Sequence, residues 1–252
     1  PFRYNFPVES LFARAGSVEG MSSFLIPLLV YPLDMRALVR TRISARWAQA
    51  LLGTIGQLAA PLFFRRKSGP AKRSAASLQV AWVEEFDARF DDLWQRVQDK
   101  YAMMAVRDAA YLSWRFAPVS KRAYRTVVAL DGDTLVGYAV VRCTDEIRGI
   151  PIGLIMDLLL EPGARGEQAG ALLLEEVGSY FKKEKVAMGG GLMLAHTDEY
   201  QVLLRAGYRP TPPRLTPRLF RVAFNCYDSE LPSTDQIKPE DWFLTTADYE
   251  AH

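Results

Sequence analysis

The stretch "DLLLEPGARGEQAGALLLEEV" (157–177) constrains the fold more than any other part of the chain. With the preceding "GLIM" it makes an apolar run that ends at Glu161-Pro162. A run of this kind reads as a strand covered on both faces. Glycines at 163, 166 and 170 follow, and leucines at helical spacing then open a helix. A buried strand that turns into a helix needs a later parallel strand to close a right-handed crossover. "VAMGGGLML" (186–194) is the candidate for that strand. Glycines at a helix start also suit an anion, because unpaired backbone N–H groups and the helix dipole point toward it.

The pattern around this unit is regular from residue 77. "SLQVAWV" reads as a first strand, and "FDARFDDLWQRVQDKY" sets Phe86, Phe90, Leu93, Trp94, Val97 and Tyr101 on one helical face. "RDAAYLSWRFA" is a short helix stopped by Pro118, and "YRTVVAL" and "LVGYAVVRC" are strands joined through "DGDT", a hairpin signal. The helix after the glycines turns Leu172, Leu173, Val177, Tyr180 and Phe181 inward. "DEYQVLLRAG" is a helix ended by Gly207, and "RLFRVAF" closes the set. Trp82, Trp94 and Trp114 lie at core spacing.

Upstream of this block the chain changes character. Residues 1–80 hold 11 Lys+Arg and 3 acids, which leaves 20 and 26 of the totals of 31 and 29. The two parts, 1–80 and 81–252, are thus +8 and −6, as expected of two regions with different neighbours. The segment 47–64 is apolar but interrupted by Gln49, Gly53, Gly56, Gln57 and Pro61, which is marginal for crossing a bilayer. Residues 36–73 therefore read either as a basic surface for peripheral contact with an anionic membrane or as a connecting helix followed by an exposed linker. The net charge of +2 gives no argument for nucleic acid. Cys143 and Cys226 make no disulfide or metal framework, so a reducing, cytoplasmic setting is expected. The opening "PFRYNFPVESLF" reads as the interior of a domain, and a fragment is expected.

Chemistry is sparse. No Ser/His/Asp order, phosphate-binding loop or metal cluster is present. Glu146 and Asp157 are too isolated to argue for a paired acid and base, and Tyr138 and Arg142 suit a cleft or a core equally. His196 sits at a strand-to-helix junction, where it serves either as a base near neutral pH or as a structural group.

The element order, the "DG" hairpin, the apolar fourth strand, the glycine loop and the "LLRAGY" helix end resemble the GNAT (GCN5-related) family of N-acyltransferases over residues 77–225. "AYLSWRF", "LVGYAVVR" and "PEDWFLTTADYE" resemble bacterial tandem GNAT-like proteins. In that likeness "YNFPVESLFARAG" (4–16) and "LLVYPLDMRALV" (28–39) are the last helix and strand of a truncated first unit. The resemblance implies an α/β fold, a central mixed sheet with helices on both faces. It implies a first-unit remnant at 1–46, a connecting helix and linker at 47–76, a GNAT-like domain at 77–226 and a tail at 227–252. The function it implies is transfer from acetyl-CoA, or another acyl-CoA, to an amine of a small molecule or cell-envelope sugar. The alternative is a non-catalytic unit paired with a catalytic one.

The family binds the pantetheine arm of the cofactor where the fourth and fifth strands splay, with the pyrophosphate on the loop beyond. Its pattern, Gln/Arg-x-x-Gly-x-Gly/Ala, aligns with Arg165 to Gly170, where Gln168 replaces the middle glycine and Glu167 adds a carboxylate. The implied cofactor residues are Leu158, Leu159, Leu160, Arg165, Gly166, Gln168, Ala169, Gly170 and Ala171, with the N–H groups of 168–171 as donors. The family's acidic tyrosine falls on Leu203, which cannot donate a proton. His196, Tyr200 and Tyr208 are left as catalytic candidates.

Overall fold

The computed structural model describes residues 3–5, 22–40, 77–117, 123–145, 150–212, 214, 216, 220–225 and 238–249. The apolar segment 47–64, the linker, Glu146 and Cys226 lie outside them. No helix among the described residues is long and apolar enough to cross a membrane.

The frame is a seven-stranded mixed sheet. Its strands, in spatial order, are β10 (Arg209–Pro210), β3 (Leu28–Pro32), β9 (Met188–Leu192), β8 (Ile152–Leu160), β7 (Thr134–Thr144), β6 (Tyr124–Asp131) and β4 (Leu78–Val83). All neighbours are antiparallel except β8 and β9, which form the parallel pair the crossover demands. Helix α4 (Ala164–Lys183) makes that crossover.

Helices cover both faces. Ala81, Val128 and Tyr138 lie in one cross-strand row, and Trp82, Val127 and Ala139 in the next. Successive residues of a strand point to opposite faces. Phe90 of α2 (Ala88–Val97) packs on Tyr138 with ring centroids 5.3 Å apart, and Tyr180 of α4 packs on Trp82 at 5.0 Å. Helix α2 starts at Asp87, whose side chain accepts from the Arg89 N–H, and it buries Phe90, Leu93, Trp94 and Val97. Helix α4 buries Leu173, Leu174, Val177 and Phe181, whereas Leu172 is half-buried. The buried stripe begins at Gly166 and Ala169, which shifts the leucine seam by one position from the expected set. Trp114, on α3 (Ala109–Arg115), is 66% exposed, because that helix turns Leu112 and Arg115 inward instead.

The last strand departs from expectation. β11 (Arg221–Asn225) leaves the large sheet and pairs antiparallel with β1 (Arg3–Asn5) and β2 (Ser22–Leu25) in a three-stranded sheet. Between β9 and β10 lies β3, from far upstream. Leu29 of β3 is fully buried in the large sheet, and Val222 of β11 is buried in the small one. Helix α1 (Met35–Arg40) follows β3, with Asp34 accepting from the N–H groups of Arg36 and Ala37. Helix α5 (Asp198–Arg205) connects β9 to β10. Near the C-terminus β12 (Trp242–Phe243) pairs in parallel with β5 (Met103–Met104), and α6 (Thr246–Tyr249) follows.

Candidate functional site

β8 and β9 pair only from Ile152–Leu154 to Met188–Gly190, yet β8 runs on to Leu160. Across β7, Val140 faces Asp157 while Val141 faces Ile155, so Met156 is an extra residue in β8. A bulge of this type bends its strand. β8 and β9 part at Leu154, just before it, and leave a fork with unpaired backbone groups, which must find partners when buried. The C-terminal segment supplies them. Thr246 Oγ1 donates to the Ile155 carbonyl at 2.7 Å and accepts from the Leu192 N–H at 2.8 Å. Thr245 forms an antiparallel bridge with Met193. Higher up, the Leu160 N–H donates to the Glu199 carboxylate at 3.1 Å.

A buried ionic cluster holds the segment in place. The Arg107 guanidinium lies 3.2 Å from Asp157 on β8 and 2.5 Å from Asp248 on α6, and Arg107 and both carboxylates are almost wholly buried. Tyr138 donates its hydroxyl to Asp157 at 2.8 Å, and Arg107 also donates to the Ala105 carbonyl at 2.8 Å. The Thr245 N–H donates to Asp248 at 2.9 Å, and Arg115 donates to the Ala247 carbonyl at 2.7 Å. Burial opposes the charge on Arg107, but Asp157 and Asp248 together hold its pKa above the usual arginine range. Burial and the Asp157 charge push the Tyr138 hydroxyl well up, so it stays protonated. Asp157, which stands alone in the sequence, thus has two charged companions, Arg107 and Asp248, fifty and ninety-one positions away.

The start of α4 is simpler than its glycines suggest. Only Gly163, with φ of +91°, makes the turn, and the helix begins at Ala164. No side chain caps it. The Glu167 N–H already bonds the Gly163 carbonyl at 3.0 Å, so the open donors are those of Ala164, Arg165 and Gly166. The N–H groups of Gln168 to Ala171 lie inside the helix and serve its own carbonyls, which corrects the expectation that they face a pyrophosphate. Gly166 and Gly170 are packing residues. A Cβ on Gly166 would sit 1.7 Å from the Glu161 carbonyl oxygen, and one on Gly170 would meet Leu160 at 2.7 Å and Val202 at 2.8 Å. Arg165 is paired with Glu161 at 2.6 Å and Asp131 at 3.3 Å, and Glu167 with Arg205. Leu158, Leu159 and Leu160 are buried in β8, and Ala169 is buried in α4 while Ala171 is exposed.

The catalytic candidates do not converge. His196 is exposed, its Nε2 lies 2.9 Å from the Trp242 carbonyl, and its ring meets Tyr101 edge-on. A carbonyl only accepts, so Nε2 is the donor there and Nδ1 is the nitrogen left with a lone pair. Tyr200 is buried in the first turn of α5, and burial raises its pKa. Tyr208 packs against Tyr31, and its hydroxyl would lie 3.0 Å from a Cβ on Gly189, near the still-paired end of β9. Glu199, which the sequence reading passed over, is fully buried, and burial lifts its pKa to about 7 despite Lys100 at 4.0 Å. Its Oε2 has no hydrogen-bond partner. Among the described residues no cluster that would hold a metal is found.

No protein-family model and no curated protein matches the sequence. Solved structures do. A GCN5-related N-acetyltransferase from Anabaena variabilis superposes with a TM-score of 0.51 at 12% identity over 89% of this chain. The chain spans 45% of that protein's length. A GCN5-related N-acetyltransferase from Kribbella flavida is similar at 13% identity over 89% of this chain and 65% of its own, with a TM-score of 0.43. An aminoglycoside acetyltransferase from a soil metagenomic sample, solved with sisomicin, is 16% identical over 43% of this chain and 72% of its own, with a TM-score of 0.33. The chain has the fold of the GCN5-related N-acetyltransferases.

Proposed function

We propose that the described unit keeps the acyltransferase fold without performing transfer at its own fork, and serves as the structural companion of a catalytic unit of the same kind. The observation that carries this reading is Thr246, which bridges Ile155 and Leu192 in the gap where the family lays the pantetheine arm. The residues present do not fit that arm unless the C-terminal segment leaves. Trp242, Phe243 and Leu244 are each under 5% exposed, and re-exposing such side chains costs about 1.5–3 kcal/mol apiece. Emptying the fork therefore costs roughly 5–9 kcal/mol before Arg107 is disturbed. A micromolar ligand gains about 8 kcal/mol, so little net affinity would remain. For the whole protein the reading is transfer of an acyl group, most simply acetyl, from coenzyme A to an amine of a small molecule or cell-envelope sugar, with the chemistry in the companion.

A second reading places transfer in this unit. It is favoured by the uncapped N–H groups of Ala164 to Gly166 beside Arg165, which suit a pyrophosphate. His196, Tyr200 and Tyr208 are then the acid–base candidates. Titration calorimetry of the chain with acetyl-CoA separates the two. No heat at millimolar ligand is expected. A dissociation constant in the range of tens of micromolar overturns the first reading and installs the second.

A further inference from the structure

Two stretches of the chain follow the same plan and trade their last strands. In the large sheet β9 is followed by α5, by Arg205-Ala206-Gly207 and by β10, and β3 lies between β9 and β10, antiparallel to both. In the small sheet β1 is followed by a stretch containing Arg14-Ala15-Gly16 and then by β2, and β11 lies between β1 and β2, antiparallel to both. The interval is the same in both, 17 positions from Leu192 to Arg209 and from Asn5 to Ser22. Each middle strand comes from the other stretch. β3 directly follows β2 in the chain yet joins the large sheet, and β11 follows β10 yet joins the small one.

The outer edges of the two sheets differ. The outer edge of β9 carries β8 in parallel, whereas β1 has no neighbour on its outer edge among the described residues. We propose that the small sheet is the rear of a second sheet of this fold, and that the outer edge of β1 receives a parallel strand. The strand comes from the front half of a second unit, an antiparallel hairpin followed by a strand and a crossover helix, carried upstream on the same polypeptide. A parallel neighbour needs such a crossover, and an open edge is a template for one. The Anabaena comparison agrees. Residues 77–252 are about 70% of the chain, so a match over 89% reaches upstream of them, within a protein of which it covers 45%. Because the middle strands are exchanged, neither sheet is complete without the other stretch. The inference rests on the companion-unit reading and names how the companion is attached.

The test compares residues 1–252 with the same residues preceded by their natural upstream coding sequence, by amide hydrogen exchange and thermal unfolding. The expected result is slower exchange at Arg3–Asn5, by about tenfold or more, and a higher melting temperature in the longer protein. Unchanged exchange at Arg3–Asn5, with the added residues folded on their own, overturns the proposal, as does a coding sequence that supplies no strand and crossover helix there. A second variant, Ala223→Pro, removes a ladder N–H from β11, whose Ala223 pairs with both Asn5 and Ser23. It should free β1 and β2 to exchange while β8 and β9 stay protected. Simultaneous loss in both sheets overturns the two-sheet division. Coenzyme A binding by residues 1–252 alone sinks the closed-fork reading and leaves the exchange result at β1 standing, so the two failures are told apart.

Discussion

Arg107 and Arg165 each sit between two carboxylates, one of them on or just past β8. Arg107 joins Asp157 to Asp248, and Arg165 joins Glu161 to Asp131. Their surroundings differ. The first three side chains are at most 3% exposed, whereas Arg165 is 42% exposed. An exposed pair is screened by water and salt and contributes about 0–1 kcal/mol. A buried cluster recovers the cost of desolvation only while every member is present. The chain thus keeps an adjustable charge at the start of α4 and a fixed one in the fork.

The comparison breaks most sharply at Arg107. Arg107→Ala leaves Asp157 and Asp248 buried without their cation, and unfolding in urea should show a loss of about 3–5 kcal/mol. Amide exchange at Leu192 should accelerate with it, since Thr246 loses its anchor. A smaller loss in Arg107→Met combined with Asp157→Asn and Asp248→Asn would sharpen the point, because no unpaired charge remains. If Arg107→Ala costs under 1 kcal/mol, the two clusters are alike and the fork is not held shut by charge.

Glu199 is the next test, and it reads through pH. Its pKa is raised to about 7, from an ordinary value near 4.5. The folded state therefore binds the proton more tightly than the unfolded one. The contribution to stability is full below about pH 4.5 and is lost as pH rises through about 7. The loss is on the order of 3 kcal/mol. Glu199→Gln should flatten that slope in melts between pH 4.5 and 8. An unchanged slope would mean that Glu199 is charged in the fork and paired with Lys100.

Gly166→Ala lies between the clusters. Its new Cβ meets backbone at Glu161, which cannot swing aside as a side chain would, so a loss of roughly 1–3 kcal/mol is expected in thermal melts. An unaltered melting temperature with weakened coenzyme A binding would return Gly166 to the cofactor reading. The smallest effect belongs to Arg165→Ala, within about 1 kcal/mol and vanishing in high salt.

Most of the sheet was legible because it is local. The hairpin through Gly132 and the apolar β8 are each written within a few residues. The parallel pair followed from chain order alone. What stayed hidden depends on distant partners. "RLFRVAF" carries a strand signal that does not name its sheet, and a single Asp157 says nothing of Asp248. The glycines of the α4 loop drew attention as an anion site, yet two of the three answer to packing that only the fold reveals. "TTADYE" held the largest surprise, for a pair of threonines near a C-terminus gives no hint that one bridges two strands of the core.

The pairing of β3 with β9 sets a schedule for synthesis. Leu28 meets Leu192, 164 positions later, and Thr246 enters the fork later still. At about 5–20 residues per second, β3 waits roughly ten to thirty seconds on the ribosome before its neighbour exists. During that interval an apolar strand is without its sheet, and non-local contacts of this kind also form slowly. The fork therefore stays open until Thr246 and Asp248 emerge, and a truncation near residue 240 should leave an aggregating product rather than a smaller folded one.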